Sequence, residues 1–336
     1  MPIFEALLLG LFLLGCSAPL PGEATPNPTI TENAGTSTGT STLLPSLTVT
    51  VNPPPTLTLT PAPTSTSSLT PTPTPPVLVG AGDISVCGLK GASQTAALLA
   101  NIPGTIFTAG DNTNETGQLS EYTRCFDQTW GRFKDRIRPA PGNHDYMTAG
   151  AEGYYSYFGI AAGERGKGYY SYDLGGWHVI ALNSNCNSVG CGPDSAQVAW
   201  LAADLEDHPA RCTLAYWHHP RFSSGLSGNS GLWSFWDLLY KAGAEVVVNG
   251  NDHDYERFAP QDPNGKLDRE NGIREFVAGT GGAGQRVFAE TLPNSEARHS
   301  GEFGVLQFTL YPDRYAWEFI PVEGGSFRDS GMDFCH

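Results

Sequence analysis

Between residues 77 and 336 the apolar positions come in short runs, and each run breaks abruptly into polar groups. Val77-Leu78-Val79-Gly80-Ala81-Gly82 leads to Asp83, and Thr105-Ile106-Phe107-Thr108-Ala109-Gly110 leads to Asp111. Thr213-Leu214-Ala215-Tyr216-Trp217 leads to His218, and Glu245-Val246-Val247-Val248-Asn249-Gly250 leads to Asn251. Such near-continuous runs read as strands buried on both faces. Helical spacing between them predicts helices over 93–101, 119–133, 195–206 with Asp194 as cap, and 232–242. Two further pairs read as antiparallel hairpins: 169–174 with 177–182 around Gly175-Gly176, and 303–311 with 315–321 around Pro312-Asp313-Arg314. The class is therefore α/β, as two sheets with helices outside, and functional groups are expected at the C-terminal ends of the strands.

Composition changes this picture at the N-terminus. Residues 17–76 are dominated by Thr, Pro and Ser. Such a stretch buries too little apolar surface to offset chain entropy, so it reads as an extended tether for a domain spanning 77–336. The apolar run before it, 3–16, is short for a membrane span and fits a signal segment, although no Lys or Arg precedes Lys90. Its end, Leu13-Leu14-Gly15-Cys16, resembles a bacterial lipobox, which implies lipidation of Cys16 and an exported protein held on the outer side of a membrane by that anchor alone. Apart from Cys16 the cysteines are Cys87, Cys125, Cys186, Cys191, Cys212 and Cys335. An even number in an exported chain suggests disulfides, and sequence alone does not choose the pairing. Cys186 and Cys191 are near enough to staple one loop; Cys87 with Cys125 and Cys212 with Cys335 are the other candidate pairs. The formal charge of −15 argues against nucleic acid as a bound surface.

The polar ends carry the candidate chemistry. Gly82-Asp83 and Gly110-Asp111 each put a carboxylate after a turn, Pro141-Gly142-Asn143-His144-Asp145 adds an amide and an imidazole, and His218-His219-Pro220 adds two imidazoles. Asn251 and His253 are two apart, so an extended backbone would direct both side chains to one side. One such cluster is an ordinary turn; five together suit a metal site with mixed oxygen and nitrogen ligands.

The order Gly82-Asp83, Gly110-Asp111-Asn112, Gly142-Asn143-His144-Asp145, His218-His219-Pro220 and Gly250-Asn251-Asp252-His253-Asp254-Tyr255-Glu256-Arg257 resembles the calcineurin-like metallophosphoesterases, in particular the purple acid phosphatases and their secreted bacterial relatives. The resemblance implies a two-sheet β-sandwich flanked by helices and two divalent metal ions, drawn from Fe, Mn, Zn, Mg or Ca. It implies Asp83 and His253 on the first metal, Asp111 as the bridge, and Asn143 and His218 on the second. His144 would be the general acid. A metal-bound hydroxide would attack the phosphorus of a small phosphate ester. His219, Asn112, Tyr255 and Arg257 become candidates for supporting the ligands or touching substrate.

Three positions depart from the pattern: Asn114 stands where the purple enzymes have a ligand tyrosine, Asn251 where they have histidine, and Ser85 where the wider family often has histidine. Asn251 is left as a weak carboxamide ligand. The departures admit two expectations: an enzyme retuned toward harder, oxygen-preferring ions, or a binding or scaffold module that keeps the fold and has lost tight metal binding. The aromatic run 153–158 reads as packing. The run 279–284 looks like a phosphate cradle only on the surface, since it lacks the lysine such cradles use.

Overall fold

The computed structural model of the chain describes residues 74–336 and, before them, Thr48 and Thr50. The leader, Cys16 and nearly all of the Thr/Pro/Ser-rich stretch lie outside the described residues. The chain divides into units Met1–Ser68 and Leu69–His336, and every strand and helix among the described residues belongs to the second.

Its strands are β1 (Val77–Ala81), β2 (Thr105–Ala109), β3 (Ile137–Ala140), β4 (Tyr170–Leu174), β5 (Trp177–Ala181), β6 (Cys212–Tyr216), β7 (Val246–Asn249), β8 (Tyr255–Phe258), β9 (Arg274–Ala278), β10 (Ser295–His299), β11 (Gly304–Leu310), β12 (Arg314–Pro321) and β13 (Ser330–Phe334). The α-helices are α1 (Gly91–Leu99), α2 (Leu119–Glu121), α3 (Glu152–Phe158), α4 (Cys186–Val189), α5 (Ala196–Asp207) and α6 (Trp233–Lys241). One sheet has the order β13-β12-β11-β1-β2-β3 and the other β10-β8-β9-β7-β6-β5-β4. Strands β1, β2 and β3 run parallel, as do β5, β6, β7 and β9, so each sheet sends a set of C-terminal ends in one direction.

The apolar runs are continuous because both faces of each sheet are covered. Val246 and Val248 point into the core between the sheets with Leu78, Phe107, Leu214, Phe276 and Phe308. Val247 points the other way, with Ile180 and Ala215, against Leu201, Phe235 and Trp236 of α5 and α6. Val79 and Ile106 do the same on the first sheet, against Ala96 and Leu99 of α1 and an aromatic group that includes Trp130 and Tyr154. With layers on both sides, a strand has no solvent face to make polar.

Both predicted hairpins form, as β4–β5 and β11–β12. Two local expectations are corrected. The helix expected over 119–133 is not continuous: α2 passes into a π-helical turn over Tyr122–Phe126, and a 3-10 segment follows over Trp130–Arg136. The wide turn accompanies the packing of the Tyr122 and Phe126 rings against Tyr157 and Phe158 of α3, with centroids 5.0–5.7 Å apart. The cap of α5 is Ser195, whose hydroxyl accepts from Val198 N, rather than Asp194. The aromatic run 153–158 lies within α3, and its rings are buried. Disulfides join Cys87 to Cys125, Cys186 to Cys191 and Cys212 to Cys335. Among the described residues no helix is long and apolar enough to cross a membrane.

Candidate metal centre

Two residues beyond the ends of β1, β2, β6 and β7 stand Asp83, Asp111, His218 and Asn251. The shared offset comes from shared turns. Asp83 N donates to Gly110 O (3.1 Å) and Ile84 N to Asp111 O (3.0 Å), which locks the first two turns side by side. Gly250 N donates to His218 O (2.9 Å), and Gly82 N donates across to Ala278 O of the second sheet (2.9 Å). Asp83, Asp111 and Asn251 hold left-handed backbones, with φ of 58°, 49° and 66°. Such conformations cost energy in a residue other than glycine and gather at functional sites. Asn251 and His253 therefore do not lie along an extended strand as their spacing suggested: the chain turns at Asn251 before β8 begins.

The packing leaves no room for extra atoms. A Cβ on Gly142 would stand 2.1 Å from Asp111 Oδ1, and one on Gly110 would stand 2.5 Å from His218 Nδ1. Asp83, Asp111 and His218 are buried and bring one donor atom each within 4.8 Å of one another.

Both inner histidines are oriented alike. His218 Nδ1 lies 2.8 Å from Ala109 O, and His253 Nδ1 is hydrogen-bonded to Gly284 O. A carbonyl only accepts, so each Nδ1 carries the proton, and each Nε2 is turned toward a carboxylate. His218 Nε2 is 3.4 Å from Asp111 Oδ1 and 3.0 Å from Asn143 Oδ1; His253 Nε2 is 3.1 Å from Asp83 Oδ1. A backbone carbonyl behind an imidazole is how proteins fix a metal-binding histidine. The electrostatics agree. Burial opposes charge on His218, but the Asp111 and Asp83 carboxylates outweigh it and push the imidazole up to about 9. His253 is raised in the same way by Asp83. Burial likewise opposes ionisation of Asp83, and His253 and His218 overcome it, holding the carboxyl below its ordinary range. These carboxylates draw positive charge into a buried place, and the carboxylate, imidazole and carboxamide donors around it fit a divalent cation.

Asn114 occupies the gap between the two carboxylates. Its Nδ2 donates to Asp111 Oδ2 (2.8 Å) and reaches Asp83 Oδ1 (3.4 Å). Asn251 contributes its backbone N–H to Asp83 Oδ2 (2.7 Å), and its carbonyl accepts from Arg286 (3.1 Å). His144 stands at the partly open edge. Its backbone N–H donates to Asp111 Oδ1 (2.8 Å), its Nδ1 is held on Glu115 O (2.7 Å), and its Nε2 is 3.8 Å from Asp111 Oδ2.

Support for these groups was only partly visible in sequence. Asp145, fully buried, accepts from Gly142 N (2.8 Å), from the Asn112 side chain (3.1 Å) and from the Tyr122 hydroxyl. It thereby fixes the turn that presents Asn143 and His144, and burial with the charge of Asp111 pushes its carboxyl up to about 6. Nothing in the residue run announced Tyr122. Asn112 also donates to Ala140 O (3.0 Å) and ties the ends of β2 and β3. His219 Nδ1 meets the Ser184 hydroxyl (2.8 Å); burial and the neighbouring His218 push its imidazole down to about 4. Tyr255 and Arg257 lie on β8 and bind Asp329 (both 2.7 Å). The glycine-rich loop packs against the Asp83 turn through Gly281 N to Gly82 O (2.9 Å) and Ala283 N to Asp83 O (2.8 Å), and its Gly284 carbonyl holds His253. A second grouping, Cys212, Glu245 and Cys335, has its sulfurs joined to each other and is no metal site.

Two mixed sheets flanked by helices, with acidic and imidazole groups converging from the strand ends of both, define a metallophosphoesterase-like sandwich. The sequence matches the calcineurin-like phosphoesterase family over residues 81–255, and the chain belongs to that family. It is 29% identical to Purple acid phosphatase 15 of Arabidopsis thaliana over 148 residues, which is 38% of this chain and 27% of that protein. It is 33% identical to Purple acid phosphatase 21 of the same plant over 99 residues, 27% of this chain and 22% of the relative. The alignments thus span about a quarter of the relatives' length. Among solved structures, the purple acid phosphatase PPD1 from yellow lupin (Lupinus luteus) seeds superposes with a TM-score of 0.61 at 20% identity, covering 76% of this chain and 53% of that one. GAP50, the anchor in the inner membrane complex of Plasmodium, gives 0.56 at 15% identity, covering 76% and 88%. At these identities the structural likeness speaks for the fold.

Proposed function

We propose that the chain hydrolyses phosphate esters at a centre of divalent cations held by Asp83, Asp111, Asn143, His218 and His253, with Asn251 as a weak further ligand. The observation that carries this reading is the paired imidazoles, each pinned at Nδ1 by a backbone carbonyl with Nε2 turned onto a buried carboxylate. Two bound cations would supply charge for the phosphate oxygens and activate water for in-line attack. The protein's own groups supply the rest. Asp111 would be the residue shared by both cations. With Nδ1 held by Glu115 O, His144 is placed to act through Nε2 as the general acid that would give a proton to the departing alcohol oxygen. The carboxamides of Asn114 and Asn251 stand where the purple enzymes have a phenolate and an imidazole donor, which favours Mn, Mg or Ca over a ferric ion. The three disulfides support an oxidising compartment, in keeping with export and a lipid-anchored Cys16.

A second reading rests on Asn114, whose amide hydrogens occupy the gap between Asp83 and Asp111. It makes the domain a binding or scaffold module that takes up at most one ion. Metal analysis and hydrolysis of p-nitrophenyl phosphate with added Mn, Zn, Mg or Ca separate the two. Turnover that disappears in Asp111→Asn, with two ions bound in the wild type, supports the enzyme. No turnover with any of the metals, together with one ion or fewer per chain, replaces it with the scaffold.

A further inference from the structure

Beside Asn143 and His219 lies a cavity of about 720 Å³, within the range of small-molecule sites. No Lys, Arg, Asp or Glu lines it. The lining is carboxamide and hydroxyl, chiefly Ser184, Asn185, Asn187, Ser188 and Asn229, with Tyr146 as the one phenol ring. Asn143 joins the cavity to the candidate metal centre, since its Oδ1 is 3.0 Å from His218 Nε2.

One wall of this cavity is held rigidly. The Cys186–Cys191 disulfide closes the loop that carries Asn187 and Ser188. Behind it, buried Gln197 accepts from Asn183 N (2.8 Å) and donates to Asn183 O (2.9 Å) and Gly190 O (3.2 Å). Asn183 in turn accepts from Asn185 N (3.1 Å) and Asn185 Nδ2 (2.9 Å) and donates to the Tyr146 oxygen (2.8 Å). With a further bond from Asn185 Nδ2 to Pro141 O (3.3 Å), the Asn185 amide hydrogens are used and its carbonyl oxygen is left to accept. Asn229 Oδ1 is taken by Gly231 N (2.9 Å), which leaves its amide to donate. Asn187 and Ser188 are exposed and offer both kinds of group.

We propose that this cavity receives the alcohol part of the ester and selects a neutral, polyhydroxylated one, so that the substrate class is the monophosphate of a sugar or small polyol. The proposal rests on the hydrolytic reading of the metal centre. Hydroxyls both donate and accept, as the lining requires. A second phosphate would find no Lys or Arg here to offset its charge, in a chain of formal charge −15. In the reaction the oxygen of water bonds to phosphorus and the bond from phosphorus to the sugar oxygen breaks. That oxygen takes the proton carried on His144 Nε2, and the proton lost from water passes to solvent.

The test compares p-nitrophenyl phosphate, glucose 6-phosphate, glycerol 3-phosphate, fructose 1,6-bisphosphate, pyrophosphate and phytate on the wild type, Asn187→Leu and Asn187→Lys. Asn187 is exposed, so both variants should fold. Expected are a higher kcat/KM for the two polyol monophosphates than for pyrophosphate or phytate, and in Asn187→Leu a KM for glucose 6-phosphate raised about 3- to 10-fold, the worth of one or two hydrogen bonds. KM for p-nitrophenyl phosphate, whose alcohol part carries no sugar hydroxyls, should rise less. Asn187→Lys should lower KM for fructose 1,6-bisphosphate. Preference for pyrophosphate or phytate, or an unchanged KM in Asn187→Leu, overturns the proposal while aryl phosphate turnover leaves the hydrolytic reading standing. If no ester turns over, that reading fails. The cavity is then judged by saturation-transfer NMR with glucose 6-phosphate: a signal weakened by Asn187→Leu supports it, and no signal overturns it.

Discussion

Asp145 touches none of the candidate ligands through its own side chain, yet three groups that shape the Asn143–His144 turn end on its carboxyl. Asp145→Ala would leave the Tyr122 hydroxyl and one Asn112 amide hydrogen buried without an acceptor. We expect a stability loss of about 3 kcal/mol in a denaturant melt, and activity or metal affinity reduced about 10- to 100-fold, as when a ligand's supporting hydrogen bond is removed. Asn251→His should strengthen binding of the second ion and shift preference toward zinc, because imidazole is the softer donor. Calorimetric titration of wild type and variant with Zn and Mn checks this, and histidine is among the residues that tolerate the left-handed backbone found there. At this scale the residues with chemistry were legible because they follow apolar runs in a fixed order. The groups that hold them were not: Ala109, Glu115 and Gly284 act through carbonyl oxygens, and every residue has one of those.

Helix α5 is fastened to the second sheet by a buried ion pair as well as by apolar packing. His178 of β5 meets Asp204 of α5 at 2.9 Å and Asp173 at 3.3 Å, and Ser171 of β4 donates to Asp204 at 2.6 Å. Burial alone would lower the His178 pKa, but its bonds to Asp204 and Asp173 raise it; burial alone would raise Asp204, but His178 and Ser171 lower it. A raised histidine stabilises fully below its unfolded value near 6.5, and that share is lost as pH climbs through the folded value. A lowered aspartate stabilises above about 3.9, and that share is lost as pH falls through its folded value. The share of the melting temperature owed to this pair should therefore form a plateau between roughly pH 4 and 6.5 and decline above it. Asp204→Asn should lower the plateau and flatten the alkaline decline, as read by thermal melts from pH 4 to 9. Strands and hairpins were legible in sequence because period and turn residues are local. The break in the 119–133 helix was not, since it accompanies ring packing against α3, which lies 26 or more residues further on in sequence.

Over the whole domain, three disulfides close loops of very different length, with sequence separations of 123, 38 and 5 residues. Chain-entropy reasoning assigns about 5 kcal/mol to Cys212–Cys335, about 4 to Cys87–Cys125 and about 2 to Cys186–Cys191. Paired Cys→Ser variants should rank in that order in denaturant melts, and thiol titration of the native domain should find none of these six free. The two-sheet class was readable from alternating elements, and the pairing of these cysteines was open until the fold brought them together. The chain path also decides how the domain would carry load. The polypeptide enters through β1, which lies inside its sheet with β11 on one side and β2 on the other. It leaves through the edge strand β13, and Cys335, just after it, is clamped to Cys212 at the start of β6. Val77 pairs with Thr309, Leu310 with Tyr315 and Arg314 with Phe334, so both ends emerge at the same end of the sheet, and a pull between them would act across the strands, the direction in which β13 peels from β12. The clamp would divert the force at the other end into the second sheet before β13 could peel. The domain should thus resist traction as one mechanical unit in single-molecule stretching, and adding a reductant should reveal an earlier, softer rupture in which β13 unzips first.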